Sequence, residues 1–100
     1  MNIKADKNFE WLLQWFYSQC DGDWEHGNGI KIKTVGNFEW NISIYLYETE
    51  LDDKDFKKIE FKSSENDWLI CFVKDKFFEG QCSSLNLPKV LSIFQNWAES

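Results

Sequence analysis

Between Cys20 and Gly29 the chain reads Cys-Asp-Gly-Asp-Trp-Glu-His-Gly-Asn-Gly, which sets a thiol, three carboxylates and the only histidine side by side. These are the residue types of nucleophilic and metal chemistry. Cys20 and His26 have the makings of a thiolate–imidazolium pair, with Asp23 or Glu25 able to orient the ring. Sequence proximity is weak support, because catalytic partners normally meet through the fold. Carboxylates at alternate positions around a glycine have something of a calcium loop, but the full loop with its terminal Glu is not met. A zinc or other transition-metal site would want more Cys or His ligands than this stretch supplies. No phosphate loop, nucleophile elbow or paired-glycine fingerprint is present. The chain also has no Arg, the residue that clamps phosphate and carboxylate substrates in a bidentate grip. The expectation is a non-enzyme with no metal, no cofactor and no small-molecule substrate. A small cytosolic enzyme or metal-binding protein using the Cys20–His26 loop is the alternative. A third account is structural: Asp21-Gly22 turns the chain, Asp21 and Asp23 bond to nearby backbone, Trp24 plugs the core edge and His26 caps a loop carbonyl.

The elements that must position this stretch are legible from periodicity. Asp6 reads as a helix cap, and Phe9 to Gln19 follows at helical spacing. Phe9, Leu12, Leu13 and Phe16 form the expected core stripe, with Trp11 and Trp15 on an adjoining face. Gly22 marks the helix as finished. From Ile30 the period falls to two, with Ile30, Ile32 and Thr34 alternating with lysines. Gly36-Asn37 makes a hairpin turn. The return strand puts Trp40, Ile42, Ile44 and Leu46 on one face and Asn41, Ser43, Tyr45 and Tyr47 on the other. Phe56 to Lys62 reads as a third strand with Ile59 and Phe61 inward. Trp68 to Val73 is apolar throughout, which predicts a central strand covered on both faces. Asp75-Lys76 turns the chain into a fifth strand, Phe77 to Gln81. Pro88 suits the first turn of a closing helix, where Val90, Leu91, Phe94, Trp97 and Ala98 recur at helical spacing. Strands run together without intervening helices, so the fold class is α+β: a single antiparallel sheet of about five strands packed with an N-terminal and a C-terminal helix. Residues 1–100 are expected to form one domain.

Composition bounds the partner. The net charge is −6, from eleven Lys against seventeen Asp plus Glu. Direct nucleic-acid binding needs a basic face and is not expected. The same acidity suits a basic protein partner and would steer its approach. Glu48 to Asp55 concentrates it, reading Glu-Thr-Glu-Leu-Asp-Asp-Lys-Asp; such a run is either a solvated loop or a patch matched to a basic surface. Nine Phe, six Trp and three Tyr exceed what a small core hides easily, so some should remain exposed as contact area. Three Cys without paired spacing suggest free thiols in a reducing compartment. The N-terminus lacks a signal-peptide run and no stretch is long enough to span a membrane, so a cytoplasmic protein is expected.

Trp11 and Trp15 ahead of Cys20-Asp-Gly-Asp-Trp-Glu-His26, followed by Gly29, Ile30 and Ile32, resemble the opening of the bacterial immunity protein 53 family. Trp40, Ile42, Ile44 and Leu46, then Thr49 and Leu51, continue the resemblance. Asp67-Trp68, Leu85-Asn86-Leu87, Val90-Leu91 and Trp97 extend it over nearly the whole chain. The Gly-Asp-Trp-Glu-His segment is its specific part. The turn Val35-Gly-Asn-Phe-Glu39 departs from the family pattern, which has something nearer Asp-Asn-Pro-Gly there. The resemblance implies an immunity protein of a polymorphic toxin system, which binds a cognate toxin domain in the cytosol and blocks it. Its contact surface is then expected at Asp21, Asp23, Trp24, Glu25 and His26, with Glu50, Asp52 and Asp53 of the acidic connection second.

Overall fold

The computed structural model describes residues 7–36 and 38–100. The Asp6 cap and the Asn37 half of the expected turn lie outside the described residues. Helix α1 (Lys7–Gln19) leads through a short 3-10 turn (Trp24–His26) into β1 (Ile30–Val35) and β2 (Glu39–Tyr45); β3 (Ile59–Ser64), β4 (Asp67–Lys74), β5 (Phe77–Ser83) and helix α2 (Leu87–Glu99) follow. The strands form one sheet in the order β1-β2-β5-β4-β3, antiparallel at every step. This is the expected α+β architecture.

Short turns account for most of the order. Asp75 and Lys76 both take positive φ (53° and 71°), as a two-residue turn matched to strand twist requires. The exception is the step from β2 to β3, which carries the chain past β5 and β4 to the far edge of the sheet. The acidic connection makes that crossing, which is why it is long. It is also anchored: Leu51 is buried, and the buried Thr49 hydroxyl donates to the Leu46 carbonyl at 2.7 Å while accepting from the Leu51 N–H at 3.1 Å.

Both helices lie on one face. Ile42, Ile44, Phe78, Gly80, Cys82, Leu69 and Cys71 share that face through their strand pairings, and Leu12, Trp15, Val90, Leu91 and Phe94 close over them. Helix α2 sits directly on β5. A Cβ at Gly80 would stand 2.4 Å from Val90 Cγ1 and 2.9 Å from Ile42 Cγ2, so only glycine lets the helix descend this far. Phe94 is the hub, with ring centroids 5.9 Å from Trp11, 5.2 Å from Trp15, 5.0 Å from Phe78 and 6.0 Å from Trp97.

Three expectations need correction. The core face of α1 is Trp11, Leu12, Trp15 and Phe16, whereas Phe9 and Leu13 are exposed. The two faces of α1 are nearly equally apolar, and the helix turns inward the one that buries two tryptophans. Strand β4 is internal, paired with β5 and β3 as expected, but it is not covered on both faces. Leu69 and Cys71 are buried, but Trp68, Ile70 and Phe72 point away from both helices and are half-buried. The middle strand is β5, whose outward residues include Glu79 and Gln81. Phe56 precedes β3 and packs on Phe78 and Trp97, while Ile59 and Phe61 of β3 remain substantially exposed.

Candidate functional site

The Cys20–Gly29 stretch is held by its own acids. Gly22 takes φ +98°, a conformation that favours glycine, and turns the chain back after α1. The Asp21 carboxylate accepts from the backbone N–H of Asp23 (2.9 Å) and of Trp24 (3.0 Å). Glu25 reaches the other way and accepts from the N–H of Gly22 (2.7 Å) and of Asp21 (3.3 Å). This reciprocal arrangement does for the 3-10 turn what a capping box does for a helix. It fixes Trp24, which is 8 % exposed and packs edge-on to Trp15 and tilted against Phe16. Trp24 therefore supports the loop from inside, while Asp21, Asp23 and His26 are exposed and Glu25 is half-buried.

The local electrostatics work against a cysteine nucleophile. Desolvation, then the Glu25 and Asp21 carboxylates, raise the Cys20 thiol above its ordinary value. Its Sγ donates to the Phe16 carbonyl at 3.3 Å. Burial pushes Cys71 up to about 12 and Cys82 up to about 11, so these thiols stay protonated and pack as small apolar groups. All three cysteines are free.

Backbone N–H donors hold the carboxyls of Asp21 and Glu25 below their ordinary range. Lys76 does the same for Asp52, as do Ser63 and then Asn86 for Asp67. A depressed folded value contributes stability above the unfolded value, and that contribution disappears as pH falls through the folded one. Stability should accordingly decline below about pH 4, the ordinary carboxylate value. Urea midpoints followed down the acid limb should show this, and an Asp21→Asn, Asp67→Asn variant should have a flatter limb. An unchanged limb would mean that these bonds are not formed in solution.

The acidic connection is as firmly tied as the loop. Glu50 accepts from Trp15 Nε1 (2.7 Å) and from Gln19 Nε2 (2.9 Å). Asp52 accepts from Lys76 Nζ (2.6 Å) and from the Glu48 N–H (3.1 Å), and the nearly fully exposed Asp53 lies 3.5 Å from the same lysine. Lys54 Nζ donates to the Trp97 and Ser100 carbonyls at 2.8 Å, closing the end of α2, and Trp97 Nε1 donates to the Asp55 carbonyl at 2.8 Å. One side chain joins the two stretches. Trp15 touches the Trp24 ring and donates to Glu50, so the Asp21–His26 loop and Glu50 flank the C-terminal half of α1. Asp52 and Asp53 stand farther along, beside the β4–β5 turn.

Sequence reasoning missed the outward face of the sheet. A wide, open concavity of about 680 Å³ is lined there by Glu39, Glu60, Lys62, Glu65, Trp68 and Ile70, together with Phe61 and Leu69. The unbroken apolar run of β4 was the signal for it, but it read as burial on both sides. Among the described residues no group of three or more His, Cys, Asp or Glu could hold a metal ion, and no helix is long and apolar enough to cross a membrane.

The sequence model of the family described as Immunity protein 53 matches residues 9–99, most of the chain. No curated protein and no solved structure gives a significant match.

Proposed function

Because the chain belongs to the immunity protein 53 family, we propose that it binds a cognate bacterial toxin domain in the cytoplasm and neutralises it stoichiometrically, by occluding the active or substrate site. The family match over residues 9–99 carries this reading. The chain, acting as one domain, would contribute no chemistry of its own. Its net charge of −6 would steer a basic partner towards it. We assign the contact surface to the Asp21–His26 loop with Glu50, Asp52 and Asp53; backbone and indole donors hold Asp21, Glu25 and Glu50 in place, and Lys76 holds Asp52. Preorganised acids lose little freedom on binding, so more of their attraction survives as affinity. If the toxin is a nuclease, these carboxylates would take the places of phosphates in its basic cleft.

Co-expression with the toxin encoded beside this chain should rescue growth, and the two proteins should elute together as a one-to-one complex. Lack of both rescue and complex would overturn the reading. A combined Asp23→Lys, Glu50→Lys, Asp53→Lys variant should slow association by roughly tenfold or more at low salt, and the deficit should shrink as salt is added. A folded variant with the wild-type association rate would reject this surface. Protection that survives Cys20→Ala and His26→Ala would set aside chemistry at that pair.

A further inference from the structure

The helix layer stops short of one edge of the sheet. Ile59 and Phe61 of β3 pair with Cys71 and Leu69, which puts them on the helix-bearing face, yet they are 38 % and 45 % exposed. Helix α2 lies over β5, and α1 packs against α2. Along the resulting gap α2 presents Lys89, Ser92, Ile93 and Asn96, the i, i+3, i+4, i+7 positions of one helical face. Two depressions of about 310 and 340 Å³ share Ile59 and Ile93 as lining residues, so they form one trough. Its floor is Ile59, Phe61 and Leu69, and Phe56 and Trp97 close one end. From Lys89 to Asn96 it runs for about 10 Å, or two helical turns.

Its charge is opposite to that of the chain. Lys57 lines one end and Lys89 the other, and no carboxylate lines either depression, although the chain as a whole carries −6. Among the described residues Lys57 enters no ion pair, and Lys89 Nζ stands 5.9 Å from the centroid of the Phe61 ring. The trough also continues the acidic connection directly: Lys54 and Asp55 are bonded to the end of α2, and Phe56 and Lys57 follow. An apolar centre beside a charged, solvated margin is the anatomy of a protein interface.

We propose that this trough receives an amphipathic helix of the toxin domain, with its apolar face on Ile59, Phe61 and Ile93 and carboxylates at its two ends meeting Lys57 and Lys89. This rests on the immunity reading above. A helix fits better than an added strand, because the trough is walled by α2 and lies in the helix layer. The edge of β3 is moreover blunted by a register shift between Lys62 and Ser64 and by the Lys58–Glu60 ion pair at 2.7 Å. A second copy docked trough to trough would set Lys57 and Lys89 against the same two lysines with no carboxylate between them, a like-charge contact that disfavours this occupant.

The test measures affinity for the toxin domain encoded beside this chain. Absence of binding by the wild-type protein would sink the immunity reading itself. Given wild-type binding, Ile59→Asp with Ile93→Asp should weaken affinity by roughly thirty-fold or more, as loss of an interface hot spot does. Lys57→Glu with Lys89→Glu should weaken it by about tenfold, whereas Lys31→Glu with Lys33→Glu on the opposite edge strand should leave it unchanged. Backbone amides of 59–61 and 89–97 should exchange more slowly in the complex. Wild-type affinity in the lysine variant, with no added protection along the trough, would overturn the proposal while leaving the immunity reading standing. Should the aspartate variant fail to fold, the lysine variant and the exchange pattern decide. A wild-type oligomer that the lysine variant disperses would make the occupant a second copy and would equally overturn it.

Discussion

Replacing Phe94 by Ala is expected to cost about 4 kcal/mol of folding stability, the middle of the range for truncating a buried aromatic ring. Phe94 is fully buried and its ring meets rings of both helices and of β5, through Trp11, Trp15, Trp97 and Phe78. Four large rings around one vacancy cannot collapse into it without breaking their own edge-to-face contacts, so most of the cavity should persist. A domain of this size is stable by roughly 5–15 kcal/mol in total, so the variant should sit close to the folding threshold. Thermal denaturation should register the loss as a fall in Tm of roughly 20 °C. Phe94→Leu keeps most of the volume and should lose less than half as much. A loss below about 1 kcal/mol in the alanine variant would show that the aromatic cluster is not packed as described.

Trp24→Ala should be nearly as damaging, at about 3–4 kcal/mol, because the indole fills the space between Trp15 and Phe16 under the loop. The informative comparison is with Trp24→Phe. Trp24 Nε1 is buried and has no hydrogen-bond partner among the described residues, so phenylalanine removes an unmet donor while keeping most of the ring. That variant should lie within about 1 kcal/mol of wild type by urea denaturation. The pair also separates support from contact. If Trp24 acts from inside the fold, Trp24→Phe should bind the toxin normally and Trp24→Ala should fail in proportion to its unfolding. Lost affinity in a fully folded Trp24→Phe would instead make the indole a direct contact.

The Cys20–Gly29 stretch first reads as a possible active site because its residue types are catalytic. In three dimensions most of those side chains serve the backbone: Asp21 and Glu25 hold the turn, Trp24 is core, and the Cys20 thiol is kept protonated. The structural account of the loop was legible in part: Trp24 sits at the core edge and Asp21 bonds to backbone, but the second backbone-bonding acid is Glu25 rather than Asp23, and the His26 side chain caps no carbonyl among the described residues. The bridge from this loop to Glu50 through Trp15 was not, since the residues involved are 35 positions apart and no local pattern links them.

By itself the sequence determined the element types, the antiparallel α+β class and the family. These follow from local properties: a period of two or of 3.6, a turn dipeptide such as Asp75-Lys76, a proline in the first turn of α2. Only the tertiary structure decided which apolar faces are hidden where two of them compete. The run Trp68–Val73 shows the limit, because an unbroken apolar strand looks the same whether one face is covered or two. Phe9 and Leu13 show it on α1, where two apolar faces compete and the larger aromatic area wins the core. Strand order shows it again: β5, with its glycine and outward polar residues, takes the middle place, and Gly80 lets α2 approach it closely there. The trough beside β3 exists for the same reason. Two helices cover less width than five strands, and the end at which the layer falls short depends on how helices and sheet pack together.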